Sequence, residues 1–294
     1  MSLQENVERE LSASMIKIGH VLSIVGYDKL TLTVPEFPYN LRFVLERRDG
    51  EKGLLPAILI VTLPKSGSVY IWNHLVSSLG VKKIRVGGSY FPDDIIVEEQ
   101  MQEFSVGSKI CQEHLPARRL NLNIIQRYLD RLVVHVRDPR QAVLSWMHFL
   151  EKEYRELGEE IVYLRTDPPL DQNFFKWGFE ERLDWYLKNH FQFWVKWIEG
   201  WVAAEENSSF APKILFTQHL DLKERPHEFF QRILQFYGIE DHNSLIKLHE
   251  VKEGAFHFRR GLVDEWKTVF TPSQIKMTSK QISDKILRRF NWEA

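Results

Sequence analysis

The chain reads as an α/β domain in three layers, with a mainly parallel central sheet flanked by helices. Two observations carry that expectation. The runs "AILIVT", "RLVVHV" and "KILFT" are short, apolar and rich in β-branched residues, as buried strands are. Each is followed by a longer stretch whose apolar residues recur at helical spacing, and strands alternating with helices imply parallel pairing through crossovers.

Residues 1–55 carry the weakest signal. There "DKLTLTVPEF" alternates like a strand and "ERRDGEKG" reads as a polar turn. From Ala57 the pattern sharpens: "AILIVT" is a strand, and "SVYIWNHLVSSLG" is a helix stopped by Gly80. "SKICQEHLP" reads as a strand ended by Pro116, "NLNIIQRYLD" as a helix and "RLVVHV" as a strand. The helix "PRQAVLSWMHFLEKEYREL" has a well-specified start, with Asp138 placed to cap it and Pro139 at its first position. "KILFT" precedes "RPHEFFQRILQFYG", another helix with a glycine stop. Residues 157–178 read as an irregular loop beside a binding site. The aromatic stretch "FEERLDWYLKNHFQFWVKWIEGW" then reads as core or pocket wall. No linker or repeat interrupts the chain, so one domain is expected over residues 1–294.

Hydrophobic residues make up 44% and charged residues 27% of the 294 residues, a globular balance, and the formal net charge is −1. A near-neutral chain without a basic stripe is not expected to bind nucleic acid, so attraction for any anion must be local. The single cysteine, Cys111, allows no intrachain disulfide and fits a reducing compartment. No apolar run approaches the roughly 20 residues that span a bilayer. The N-terminus also lacks the basic-then-apolar pattern of a signal peptide. A cytoplasmic protein without a membrane partner is expected.

At "AILIVTLPKSGSVYIW" a strand delivers the chain to the tight turn Pro64-Lys65-Ser66-Gly67-Ser68, and a helix follows. The parts of an anion site are present. Gly67 permits close backbone approach, the helix start offers unpaired N–H groups and a positive dipole end, and Lys65 adds a mobile charge. The layout is P-loop-like, although the leading glycine of the NTPase pattern G-x-x-x-x-G-K-[ST] is missing. A second anion site is readable in "RLVVHVRDPRQAVLSWMHF". Arg137 ends the strand and Ser145 lies about two turns into the next helix, so a guanidinium fork and a hydroxyl can grip one phosphate.

Together these stretches resemble the sulfotransferase family that uses 3′-phosphoadenosine 5′-phosphosulfate. "TLPKSGSVY" is similar to its 5′-phosphosulfate loop, T-Y-P-K-S-G-T-T-W, and "RDPRQAVLS" to its 3′-phosphate motif, with the Arg-to-Ser spacing kept. "FRRGLVDEWKTVFTPSQ" resembles the segment R-K-G-x-x-G-D-W-K-N-x-F-T, with Asp264 in place of the second glycine. "HLDLKERPHEFFQRILQFYG" resembles the helix start Y-E-D-L-K-x-x-P. The matches run in order from Leu59 to Gln274.

The resemblance implies that Lys65 contacts the oxygen bridging sulfuryl and phosphate. Ser66, Gly67 and Ser68 would hold the 5′ end, and Arg137, Ser145, Arg259, Arg260 and Gly261 the 3′-phosphate; Val69 stands among the cofactor-binding residues and is also a candidate wall of the acceptor pocket. Tyr70 and His219 stand where the family places a Trp and a Tyr by the adenine. "QEHLP" resembles K-T-H-L-P, which makes His114 the implied base, with Glu113 as the fallback and Gln112 in place of a second lysine. Adenosine 3′,5′-bisphosphate (PAP) is the implied product, and no metal is expected, because no metal-ligand spacing appears. The implied acceptor is a small molecule taking the sulfuryl group on oxygen or nitrogen, with Trp146, His148 and Phe149 as candidate walls. The protein is expected as a monomer or homodimer. Two other readings stay open: an ATP-dependent small-molecule or nucleotide kinase with a degenerate P-loop, and a binding protein that kept the fold without the chemistry.

Overall fold

The structure is a computed structural model that describes residues 55–89, 91–166, 168–239 and 263–293, and the backbone alone of 27–30 and 45–47. The sequence pattern points to one domain, whereas the chain divides into two compact units, Met1–Lys52 and Gly53–Ala294. In the first unit β1 (Tyr27–Leu30) pairs antiparallel with β2 (Leu45–Arg47), so Glu46 and Arg47 of the expected turn are strand residues.

The second unit opens with β3 (Ile58–Thr62), α1 (Ser68–Leu79), β4 (Lys82–Ile84), α2 (Glu98–Ser105) and β5 (Lys109–Glu113). Next come α3 (Arg119–Tyr128), β6 (Arg131–Val136), α4 (Pro139–Leu157), α5 (Glu159–Arg165), α6 (Phe179–Asn189) and α7 (Phe191–Glu206). The rest is β7 (Lys213–Gln218), α8 (His219–Glu224), α9 (Pro226–Phe236), α10 (Trp266–Val269), α11 (Pro272–Gln281) and α12 (Asp284–Phe290). Five strands form one sheet in the order β4-β5-β3-β6-β7, and every neighbouring pair is parallel. This is the P-loop-like, three-layer arrangement that the strand–helix alternation predicts.

Strand β3 is buried throughout, and the alternation of its side chains feeds two cores. Leu59 and Val61 face the layer containing Leu144, Met147, Trp194 and Trp201 of α4 and α7. Ile58 and Ile60 face Ile71, Leu75, Phe229 and Ile233 of α1 and α9. A strand covered on both faces reads as a continuous apolar run, which is why "AILIVT" is legible.

Three parts differ from the sequence expectation or add to it. The stretch 157–178 is not irregular throughout: Gly158, at φ 86, ends α4, and α5 and a 3-10 turn at Phe174–Lys176 follow. The aromatic stretch, read as core or pocket wall, is built as two helices that meet at His190. Strand β4 and helix α2 are additional; β4 is three residues long, two of them exposed lysines, and so offers no apolar periodicity to read.

The start of α4 is tied to the C-terminal segment by Arg140, whose side chain is fully buried. Asp138 caps α4 by accepting from the Arg140 amide at 2.9 Å and also takes the Arg140 guanidinium at 2.7 and 3.0 Å. The remaining donors reach Ser279 Oγ at 3.0 Å and the Glu293 carbonyl at 2.6 Å, and the guanidinium lies 3.9 Å from the Trp266 ring centroid. Removing one partner of such a buried pair costs about 3–5 kcal/mol. Arg140→Met is therefore expected to lower unfolding free energy by that amount in urea denaturation, and an unchanged midpoint would show that the clamp is dispensable.

Candidate active site

Between β3 and α1 the turn adopts an unusual backbone. Lys65 has φ 61 and Gly67 φ 96, both left-handed, and left-handed residues of this kind shape amides into an anion-binding concavity. Gly67 is required there twice over, because an added Cβ would also lie 3.0 Å from Leu222 Cδ2 and 3.5 Å from His219 Nδ1. Among the described residues no side chain caps α1, and no acidic residue sits in its first turn; a helix start of this kind is suited to an anion.

The carbonyls of this turn are engaged by side chains. Ser66 Oγ donates to the Leu63 carbonyl at 2.6 Å, and Arg137 Nη1 donates to the Lys65 carbonyl at 2.7 Å. The Ser66 carbonyl lies 2.9 Å from His135 Nε2 and 2.8 Å from His219 Nδ1. Arg137, expected at the 3′-phosphate, is thus a brace of this turn.

His114 follows β5 directly. Its Nδ1 lies 2.7 Å from the Thr62 carbonyl and 3.1 Å from Thr62 Oγ1. A carbonyl only accepts, so Nδ1 carries the proton and Nε2 is the basic atom of the neutral ring. Gln112 Nε2 donates to Thr62 Oγ1 at 2.8 Å, and Trp197 Nε1 donates to the His114 carbonyl at 3.0 Å. Burial pushes the His114 pKa below its usual value, and the charges of Arg85 and Lys65 push the same way.

Glu113, the fallback base, lies on the other side of β5. Its buried carboxylate accepts from Arg85 Nη2 at 2.7 Å and from the amides of Val86 and Gly87 at 2.9 and 3.1 Å. A carboxylate already holding three donors is a structural anchor, and its geometry corrects the expectation of a spare base. Nearby Asp94 is buried too; burial and the Glu113 charge raise its pKa to about 6.

Among the candidate wall residues, Phe149 meets the turn: Lys65 Nζ lies 4.0 Å from its ring centroid. Trp146 packs on Phe149 at 5.3 Å and on Trp194 at 6.0 Å, and Trp194 packs on Phe91 at 4.9 Å, giving a continuous aromatic wall. His148 stacks on Phe179 at 4.8 Å. Ser145 lies on α4, within two turns of the Asp138 cap, and is half-buried. Ser68 and Val69 open α1; the Tyr70 ring packs on His74 at 3.9 Å. His219 Nε2 is buried without a partner among the described residues, and burial drives the ring pKa well down. Arg259, Arg260 and Gly261 lie outside the described residues. Sequence reasoning missed His135 and Thr62; a histidine inside the run "RLVVHV" was the available signal for the first.

A parallel α/β sheet whose first buried strand leads through a lysine-bearing turn into a helix defines a P-loop-like fold. The chain belongs to the sulfotransferase domain family, whose model matches residues 55–289. It is 24% identical to mouse Sulfotransferase 6B1 over 272 residues, covering 84% of this chain and 82% of that protein. It is 23% identical to mouse Sulfotransferase 2A1 over 177 residues, 48% of this chain and 61% of that one. Among solved structures, that of mouse sulfotransferase SULT7A1 complexed with PAP superposes with a TM-score of 0.52 at 16% identity, covering 84% of this chain and 92% of that chain. Transfer of a sulfate group to a small-molecule acceptor is therefore its general chemistry, and a kinase is not favoured. No group of three or more His, Cys, Asp or Glu is placed to hold a metal, and no helix is long and apolar enough to cross a membrane, among the described residues.

Two outcomes test this geometry. Gly67→Ala forces an L side chain into a left-handed conformation, and urea denaturation should show a loss of about 1–2 kcal/mol. Asp94 has a folded pKa above its unfolded one, so its contribution is complete below about pH 4 and lost as pH rises through 6. Stability should therefore fall by up to about 3 kcal/mol across that window, at about 1.4 kcal/mol per pKa unit, and Asp94→Asn should flatten the profile.

Proposed function

We propose that the protein transfers a sulfuryl group from 3′-phosphoadenosine 5′-phosphosulfate to a hydroxyl or nitrogen of a small molecule. The observation that carries this reading is the His114 Nδ1–Thr62 carbonyl bond of 2.7 Å, which leaves a basic Nε2 in a ring whose pKa burial lowers. The neighbour bound to PAP supports the identity of the nucleotide. The uncapped start of α1, with Gly67 free of a Cβ, fits a 5′-phosphosulfate, and Arg137 with Ser145 suits a 3′-phosphate.

When bound, the donor supplies a sulfuryl group on a phosphate leaving group. His114 Nε2 accepts the acceptor's proton while the new bond to sulfur forms in line with the one that breaks. The Lys65 ammonium leaves the Phe149 ring and neutralises the oxygen that departs with the phosphate, a charge that grows only in the transition state. The turn amides and Arg137 hold the nucleotide while this happens. The aromatic wall of Phe149, Trp146 and Trp194 bounds the acceptor's side and excludes water.

Calorimetric titration with adenosine 3′,5′-bisphosphate, against ADP with and without Mg²⁺, tests the donor. Tight metal-independent binding of the bisphosphate is expected, and preference for ADP with Mg²⁺ would overturn it. Lys65→Ala should cut kcat by about 10²–10³-fold and His114→Ala by about 10²–10⁴-fold, with bisphosphate affinity largely kept. Because burial lowers the His114 pKa, the acid limb of kcat/KM should lie below pH 6.5. A limb above that value would remove His114 from the role.

A further inference from the structure

The Ser66 carbonyl lies within hydrogen-bonding distance of two histidines from different elements, His135 on β6 and His219 at the start of α8. His135 has no exposed surface, and Ser66 is equally buried. Since a carbonyl offers only lone pairs, both rings must present N–H groups to it, Nε2–H from His135 and Nδ1–H from His219. Burial lowers both pKa values, that of His135 to about 4, so both rings are neutral near pH 7. A neutral His135 protonated on Nε2 has a bare Nδ1, and Thr217 Oγ1 lies 2.8 Å from it. The Thr217 hydroxyl therefore donates and fixes the tautomer. Thr217 and His135 are register partners across β7 and β6, so the sheet itself sets this spacing. The Phe229 ring meets His135 edge-on at 5.3 Å and restricts its rotation.

In a trans peptide the C=O and the following N–H point in opposite directions. We propose that His135 and His219, with Thr217 behind them, are positioning residues that lock the Ser66–Gly67 peptide plane and so turn the Gly67 N–H away from the two rings, toward the concave side of the turn. Two donors on one oxygen resist a peptide flip that Gly67, lacking a Cβ, would otherwise permit cheaply. The anion such an amide serves is a phosphate or phosphosulfate, and that part rests on the donor reading above. Neither ring touches the reacting atoms in this scheme; they act through the backbone of the turn.

The test combines ¹⁵N spectra of the free protein with bisphosphate calorimetry. The spectra should show His135 as the Nε2–H tautomer, His219 as the Nδ1–H tautomer and one sharp Gly67 amide signal. His135→Val should shift or broaden the Gly67 amide and weaken adenosine 3′,5′-bisphosphate by about tenfold, the loss of roughly one hydrogen bond from a buried carbonyl. His135→Gln, whose amide N–H can stand in for Nε2–H, should recover most of both. Thr217→Val touches nothing in the turn, yet should shift the Gly67 signal in the same direction. If His135→Val does not fold, Thr217→Val and the ring spectra carry the test. Opposite tautomers, or a Gly67 signal unmoved in both His135→Val and Thr217→Val, would overturn the proposal. If the wild type ignores the bisphosphate, the donor reading falls, whereas the proposal is decided by the Gly67 and ring spectra, which need no ligand.

Discussion

Parallel hydrogen-bonding between β5, β3, β6 and β7 is the constraint from which the site's geometry descends. In that ladder Val61 faces Glu113, Thr62 faces His135, and His135 faces Thr217. Because all four strands run the same way, their carboxyl ends open along one edge, where crevices of α/β sheets receive ligands. Thr62, His114, Arg137 and His219 each stand at or just beyond one of those ends. A shift of one residue in any pairing would turn a whole set of side chains to the opposite face and separate His114 from Thr62.

A second consequence of the ladder is electrostatic. The protein is nearly neutral, with a formal charge of −1, yet several ionisable groups are buried. They are kept apart by the sheet: Glu113 and Cys111 point to one side of β5, while Gln112 and His114 serve the other. The acidic side is answered by Arg85 and by backbone amides, while Gln112 and His114 on the other side turn to Thr62. Alternation along a single strand thus performs the charge separation that a larger protein could assign to different elements.

What the sequence disclosed was what is local. The strand "AILIVT", the Gly67 turn and the Asp138–Pro139 start of α4 each depend on residues within a few positions, and all are found in place. Glu113 was read as a candidate base because nothing nearby announces Arg85 or the amides of Val86 and Gly87, which arrive from residues 26 to 28 positions earlier. Gln112 read as a lost lysine, whereas its contact is with Thr62, 50 residues away. His135 draws its meaning from Ser66 and Thr217, at separations of 69 and 82 residues. Such roles are properties of the sheet's pairing, which no window of sequence contains.

The contact between Lys65 and Phe149 has one more implication. A ring that carries an ammonium on its face is unavailable to anything else on that face, and a cation held this way is stabilised by about 0.5–2 kcal/mol. Whatever anion claims the lysine must overcome that hold, and in doing so it uncovers an aromatic surface continuous with Trp146. For an anion that drew Lys65 away and a guest that stacked on the face so uncovered, binding would be linked, and linkage is reciprocal: each would favour the other by the same factor.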